Sequence, residues 1–187
     1  MTFQLKYKAF GDVAILIEWP AKIDEAIIQD IVAFEKKIAK TPDILDTIIA
    51  YNSLTIRYRV LEDFDRTVSD LKRLYLTAQT KVLKDQKVWQ IPVCYDVKFG
   101  LDLEEMSVEK NIPIDAIIKL HSTPQYLIYF LGFQPGFLYL GGLDVQIHMP
   151  RRATPRLRVE KGAVGIGGEQ TGAVSYTHLT LPTILLV

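Results

Sequence analysis

The sequence predicts an α+β protein, with a small N-terminal α+β sandwich followed by a β-rich, barrel-like second half. Three observations carry this. Over the first 80 positions the apolar period switches from two to three-or-four and back, in the order strand, helix, strand pair, helix. A charged connector, Lys81 to Lys87, then interrupts the pattern. Beyond it, short apolar runs alternate with glycine and proline turns. The 187 residues suit one ordinary domain or two small ones, and 49% hydrophobic with 24% charged residues favours a packed core over disorder.

Phe3 to Trp19 is strand-like, turns at Gly11-Asp12 and resumes with the apolar run Val13 to Ile17. Ile23 to Ala39 has helical spacing, with Ile27, Ile31 and Phe34 on one face, acids early and lysines late. Asp24 is its candidate N-cap. Ile44 to Val60 reads as strand, break at Tyr51-Asn52-Ser53, and strand. In the second of these Leu54, Ile56, Tyr58 and Val60 share one face, and Arg57 and Arg59 the other. Asp63 to Thr80 is a second amphipathic helix carrying Val68, Leu71 and Leu74-Tyr75. These elements form a first domain over 1–84.

The second domain, over 85–173, restarts with a predicted strand at Val88 to Tyr95. Two short helical pieces follow, Leu103 to Val108 and Pro113 to Leu120, separated by Asn111-Ile112-Pro113. Tyr126 to Gly132 is another strand, and turns and short extended pieces lead on to residue 173. The last residues, 174–187, run apolar without a carboxylate, lysine or arginine, and break the character of the polar loop before them.

Lys plus Arg number 22 and Asp plus Glu number 22, so the net charge is zero, which argues against general nucleic-acid or membrane-surface binding. No run of about 18 apolar residues is present to span a bilayer. The N-terminus lacks the basic-then-apolar pattern of a signal peptide. Cys94 is the single cysteine, so no internal disulfide can form. Together these predict a soluble, cytoplasmic protein.

Candidate chemistry concentrates between Leu131 and Gly172. A Gly-Phe-x-Pro-Gly-Phe turn at 132–137 precedes a paired-Arg/Pro segment, and a glycine-dense loop follows at 162–172. Arg152, Thr154, Arg156 and Arg158 share parity, and Pro150 and Pro155 favour extension, so the segment offers a guanidinium wall to an anion. The plainer alternative is a solvated strand face. The glycine loop is no P-loop, because no Gly-Lys-Ser/Thr follows, and no dinucleotide fingerprint, because Gln170 stands where the third glycine belongs. It serves equally well as a tight strand–turn–strand corner or as a ligand cradle.

Other candidates carry weaker signals. His121 closes a helical piece, where an interaction with the helix C-terminus is the ordinary role. His148 and His178 have no partner three or four residues away, so no metal site is expected. Cys94 reads as a core residue of an apolar strand, and Glu104 and Glu105 as a helix surface. Phe133 and Phe137 either pack the turn or line a pocket beside Gly132 and Gly136.

Several runs in order resemble one family. They are Leu120-His121, LGFQPGFLYLGGL at 131–143, PRRATPRLRV at 150–159 and GAVGIGGEQTG at 162–172, with AFGDVAILIEW and IIAYNSLTIRY in the first half. The chain resembles the family of 5-oxoprolinase B subunits and allophanate hydrolase subunit 1, the carboxyltransferase subdomain C/D proteins that include KipI-type kinase inhibitors. The resemblance implies an N-terminal α+β domain and a cyclophilin-like β-barrel. It also implies work with two further 5-oxoprolinase components, a paralogous C component and an A component, as an ATP-dependent 5-oxoprolinase or a related carboxyltransferase-type enzyme. ATP is the cofactor of that complex, and no metal site is implied in this chain. A regulatory protein that binds and inhibits a sensor histidine kinase is the alternative.

On the matching positions, the resemblance points to His121 as an acid/base or substrate-positioning residue and to Arg152 and Arg156 as anion-binding residues. Phe133, Pro135, Gly136, Phe137, Gly167, Gly168, Gln170 and Thr171 become candidate substrate contacts, with backbone N–H groups near Gly167-Gly168 facing a developing oxyanion. The family pattern continues past Gly172 differently from this chain. Residues 174–187 therefore read as a non-family tail and the barrel as incomplete.

Overall fold

A computed structural model of the chain describes residues 3–77, 87–132, 136–154, 156, 158–173, 185 and 186. It divides into two compact units, Met1–Lys87 and Val88–Val187. Each is an α+β unit built on an antiparallel sheet.

In the first unit β1 (Lys6–Ala9), β2 (Ala14–Glu18), β3 (Ile44–Ile49) and β4 (Ser53–Tyr58) pair in the order β1-β2-β4-β3. Gly11, at a φ of +68°, supplies the left-handed turn between β1 and β2. Opposed pairs Ile15↔Ile56 and Ile17↔Leu54 place their apolar side chains in the core. The helices α1 (Glu25–Ile38) and α2 (Phe64–Leu76) begin at true caps. Asp24 accepts from the Ala26 N–H at 2.8 Å and Asp63 from the Arg66 N–H at 2.9 Å. Ile27, Ile31, Phe34 and Ile38 are fully buried on one face of α1, at the spacing that predicts the helix. Buried Asp30 receives the Trp19 indole N–H at 2.8 Å and the Tyr75 hydroxyl at 2.5 Å, tying α1 to α2. Val60 departs from expectation. It lies past the end of β4 and is exposed rather than on the buried face.

In the second unit α3 (Leu103–Lys110) and α4 (Ile114–Ser122) precede β5 (Leu127–Leu131) and β6 (Leu138–Gly141). A 3-10 turn at Val145–Ile147, then β7 (Val164–Gly167), β8 (Gln170–Ala173) and β9 (Leu185–Leu186) complete it. The sheet order is β5-β6-β8-β7-β9, and among the described residues no pairing joins the two ends. Asn111, left-handed at a φ of 54°, ends α3, and Pro113 opens α4. Leu103, Met106, Ile117, Leu143, Ile147, Met149 and Ile166 form the core between the helices and the sheet.

Three sequence-based expectations are corrected here. Val88 to Tyr95 is no strand. Pro92 lacks the N–H a ladder needs, and Val88, Trp89 and Ile91 are exposed. Cys94 is consequently exposed and not a core residue. The Arg/Pro segment at 150–159 also carries no strand among its described residues, its nearest regular pairing being the single bridge Met149↔Gly168. Phe133, Pro135 and residues 174–184 and 187 of the tail lie outside the described residues. No helix among the described residues is long and apolar enough to cross a membrane.

Candidate functional site

Two polar clusters in the second unit hold four of the predicted residues, His121 with Thr171 and Arg152 with Arg156. The first centres on His121, which sits in the last turn of α4 and is 4% exposed. Its Nδ1 lies 2.6 Å from the Tyr95 hydroxyl and its Nε2 lies 2.9 Å from Thr171 Oγ1. The Thr171 hydroxyl donates its only proton to the Gly165 carbonyl at 3.1 Å. Its oxygen therefore accepts from His121 Nε2–H, which leaves Nδ1 of a neutral ring to accept from Tyr95. Burial pushes the imidazole down to about 4, so the ring is neutral at pH 7. Tyr126 packs against the ring and donates its hydroxyl to the His121 carbonyl at 2.6 Å. Burial raises the titration of both tyrosine hydroxyls, which stay protonated donors.

Sheet order explains why Thr171 is available to His121. Thr171 lies on β8 between β6 and β7, opposite Leu140 and Ile166. The chain Tyr95–His121–Thr171–Gly165 thus ties the segment before α3 to α4 and to two sheet strands. Every ring nitrogen and hydroxyl in it has a partner, so the His121 ring is held in place between Tyr95 and Thr171.

The second cluster centres on Asp102. This residue precedes α3 but makes no side-chain cap hydrogen bond, and its side chain is 2% exposed. Arg156 meets it with a two-nitrogen fork, Nη1 to Oδ2 and Nη2 to Oδ1, each at 2.5 Å. Arg152 Nη1 donates to Asp102 Oδ1 at 2.7 Å and to Glu105 Oε2 at 2.8 Å. The Asp102 hydrogen bonds hold the Arg156 guanidinium above its ordinary value. Arg152 and Arg156 thus converge because a loop brings both to one buried carboxylate, and strand parity plays no part. Arg158 turns elsewhere and pairs with Glu160 at the surface. Glu105 lies on the surface of α3, as expected, and from there reaches Arg152 at the edge of the cluster.

The glycine loop folds as a strand–turn–strand corner. Gly167 pairs with Gln170, Gly168 takes a φ of +69°, and the Gly168 N–H donates to the Met149 carbonyl at 2.6 Å. That donor is committed to the backbone. Gly136 has a φ of +80°, and buried Phe137 stacks edge-on against Tyr139 with its ring over Gly172. Phe137 therefore packs against β6 and β8. Gln170 is half-buried and Thr171 buried. Among the described residues, no group of three His, Cys, Asp or Glu side chains is arranged to hold a metal ion.

Tyr95, Tyr126, Asp102 and Glu105 belong to these clusters, and sequence reasoning does not single them out. A tyrosine in an apolar run and an aspartate before a helix both have commoner roles, so only their distances reveal them.

Residues 5–178 match the family described as carboxyltransferase domain, subdomain C and D. The chain belongs to that family. Among carboxyltransferase C/D relatives, it is similar to the 5-oxoprolinase B subunit of Haemophilus influenzae, with 36% identity over 158 residues, covering 84% of this chain and 73% of the relative. The 5-oxoprolinase B subunit of Bacillus subtilis strain 168 is 31% identical over 185 residues, covering 92% and 77%. The crystal structure of TTHA0988 shares the fold at a TM-score of 0.79 and 29% identity. That likeness covers 93% of this chain and 34% of the other, so this chain spans about a third of that protein. The first two relatives are named as parts of a larger enzyme. The carboxyltransferase C/D match reaches residue 178, and Leu185–Leu186 of β9 pair with β7.

Proposed function

We propose that this protein is one component of a heteromeric ATP-dependent 5-oxoprolinase, which converts 5-oxo-L-proline, ATP and water to L-glutamate, ADP and phosphate. The observation that carries the reading is the identity of 31% to 36% with proteins named as 5-oxoprolinase B subunits, spread over most of the chain. Its partners in this reading are the paralogous C component and the A component of the enzyme, in the cytoplasm, with ATP bound by the complex.

The geometry supports a binding contribution from this chain. The reaction opens a lactam whose ring carries a carboxylate, and Arg152 supplies a guanidinium suited to an anion of that kind, beside an Arg156 held on Asp102. His121 and Thr171 hold the sheet beside α4, and a neutral His121 with Tyr95 and Thr171 at its two nitrogens is suited to orienting this region or to passing a proton along that chain. The catalytic constellation is then completed by the partner components.

The test is reconstitution. This chain is mixed with the purified A and C components, ATP and 5-oxo-L-proline, and glutamate and ADP are followed together. Glutamate is expected only from the complete mixture, in step with ADP. Glutamate release that is indifferent to this chain, from components that are otherwise active, refutes the proposal.

A further inference from the structure

The Asp102 cluster contains a permanent anion and a replaceable one. Asp102 is almost fully buried, and Arg156 grips it with both terminal nitrogens. Removing it would strand two guanidiniums whose side chains are only 23% and 26% exposed. Glu105 differs in each respect. Its side chain is 56% exposed, it reaches in from the first turn of α3, and it holds only Arg152 Nη1, a nitrogen that already serves Asp102. An ion pair of that exposure contributes little, so its carboxylate can swing out into water at small cost.

Charge then sets the ligand. Arg152, Arg156 and Asp102 together carry one surplus positive charge, which Glu105 neutralises. An occupant that takes the place of Glu105 restores neutrality only if it carries one negative charge. A carboxylate oxygen of the occupant can also take the place of Glu105 Oε2 on Arg152 Nη1, as a charge-assisted hydrogen bond of the same kind. A phosphate dianion would leave the cluster negative beside the buried Asp102, and a neutral ligand would leave it positive.

We infer that Arg152 recognises the carboxylate of a monoanionic ligand, and that Glu105 is an internal competitor occupying this position until the ligand displaces it. The 5-oxoproline reading enters only in naming the ligand, since 5-oxoproline has one carboxylate and an uncharged lactam. Glu105 thereby sets the affinity of the site and rejects weakly held anions.

The experiment is an NMR titration of the full chain with 5-oxo-L-proline, with its uncharged carboxamide and with acetate, using wild type, Glu105→Gln and Arg152→Met. Glu105→Gln keeps the side-chain shape at an exposed position and removes the competing charge. Its carboxylate Kd is expected to fall by about two- to fivefold, the gain available from releasing an exposed ion pair. The carboxamide is expected not to bind, and Arg152→Met to lose the carboxylate response. An unchanged or weaker affinity in Glu105→Gln overturns the inference. So does a response that survives in Arg152→Met, or an absence of carboxylate binding in both wild type and Glu105→Gln. Acetate that responds to Glu105→Gln while 5-oxo-L-proline fails to bind upholds the competitor and removes the 5-oxoproline reading of this site. Binding of 5-oxo-L-proline that ignores Glu105→Gln does the reverse.

Discussion

Acidification from pH 7 to pH 5 separates the folded and unfolded states at His121. The buried imidazole is pushed down to about 4, whereas an unfolded chain titrates near the ordinary value of 6.5. As pH falls through 6.5 the unfolded chain gains a proton that the folded chain refuses until about pH 4. The contribution of the neutral ring is complete above pH 6.5 and is lost across the window from 6.5 to 4. The gap between the two titrations corresponds to about 3 kcal/mol in total, of which about 2 kcal/mol has gone by pH 5, before most carboxylates protonate. Urea unfolding of wild type and His121→Gln at both pH values gives the comparison. Wild type is expected to lose about 2 kcal/mol more than the variant between pH 7 and pH 5, because the double difference cancels the other titrating groups. The imidazole 15N spectrum provides an independent readout, with the Nε2–H tautomer persisting in the folded protein at pH 5. Equal pH dependence in the two proteins, or an imidazolium spectrum in the folded state at pH 5, refutes the reasoning.

Asp102→Asn is expected to cost about 1–3 kcal/mol, below the cost of breaking a fully buried pair because the two arginine side chains are about a quarter exposed. Thermal unfolding checks it, and an unchanged Tm would show that Glu105 alone can hold both guanidiniums. Gly172→Ala is expected to cost about 1–3 kcal/mol, because the added Cβ would stand 2.8 Å from the Phe137 ring and 3.2 Å from the Leu138 carbonyl. The urea midpoint measures this, and no shift would mean that the ring and β6 yield freely.

The first unit is largely legible in sequence because its elements are specified locally. Asp24 and Asp63 stand where capping oxygens are needed, and Ile27, Ile31 and Phe34 recur at helical spacing. Period-two alternation in Leu54, Ile56 and Tyr58 identifies the inward face of β4. Composition misleads where an element also needs a partner. Val60 continues the alternation but has no strand left to belong to. The run from Val88 to Tyr95 is apolar enough for a strand, but Pro92 interrupts its donors, and Cys94 goes to the surface with it.

The site is legible as a set of residues and illegible as an arrangement. His121 and Thr171 are 50 residues apart, and no local signal links a helix end to the middle of a later strand. Their meeting depends on the order β6-β8-β7, which sets Thr171 in the sheet interior. Parity along an extended chain selects Arg152 and Arg156, yet they come together through a loop around Asp102. Asp102 itself is hidden by a commoner role, since an aspartate before a helix reads as a cap and this one caps nothing with its side chain. Sequence names charges without saying how much water surrounds them, and here solvent decides the chemistry. Asp102 and Glu105 are both carboxylates three positions apart facing the same guanidinium, and only burial makes one a fixed anchor and the other exchangeable.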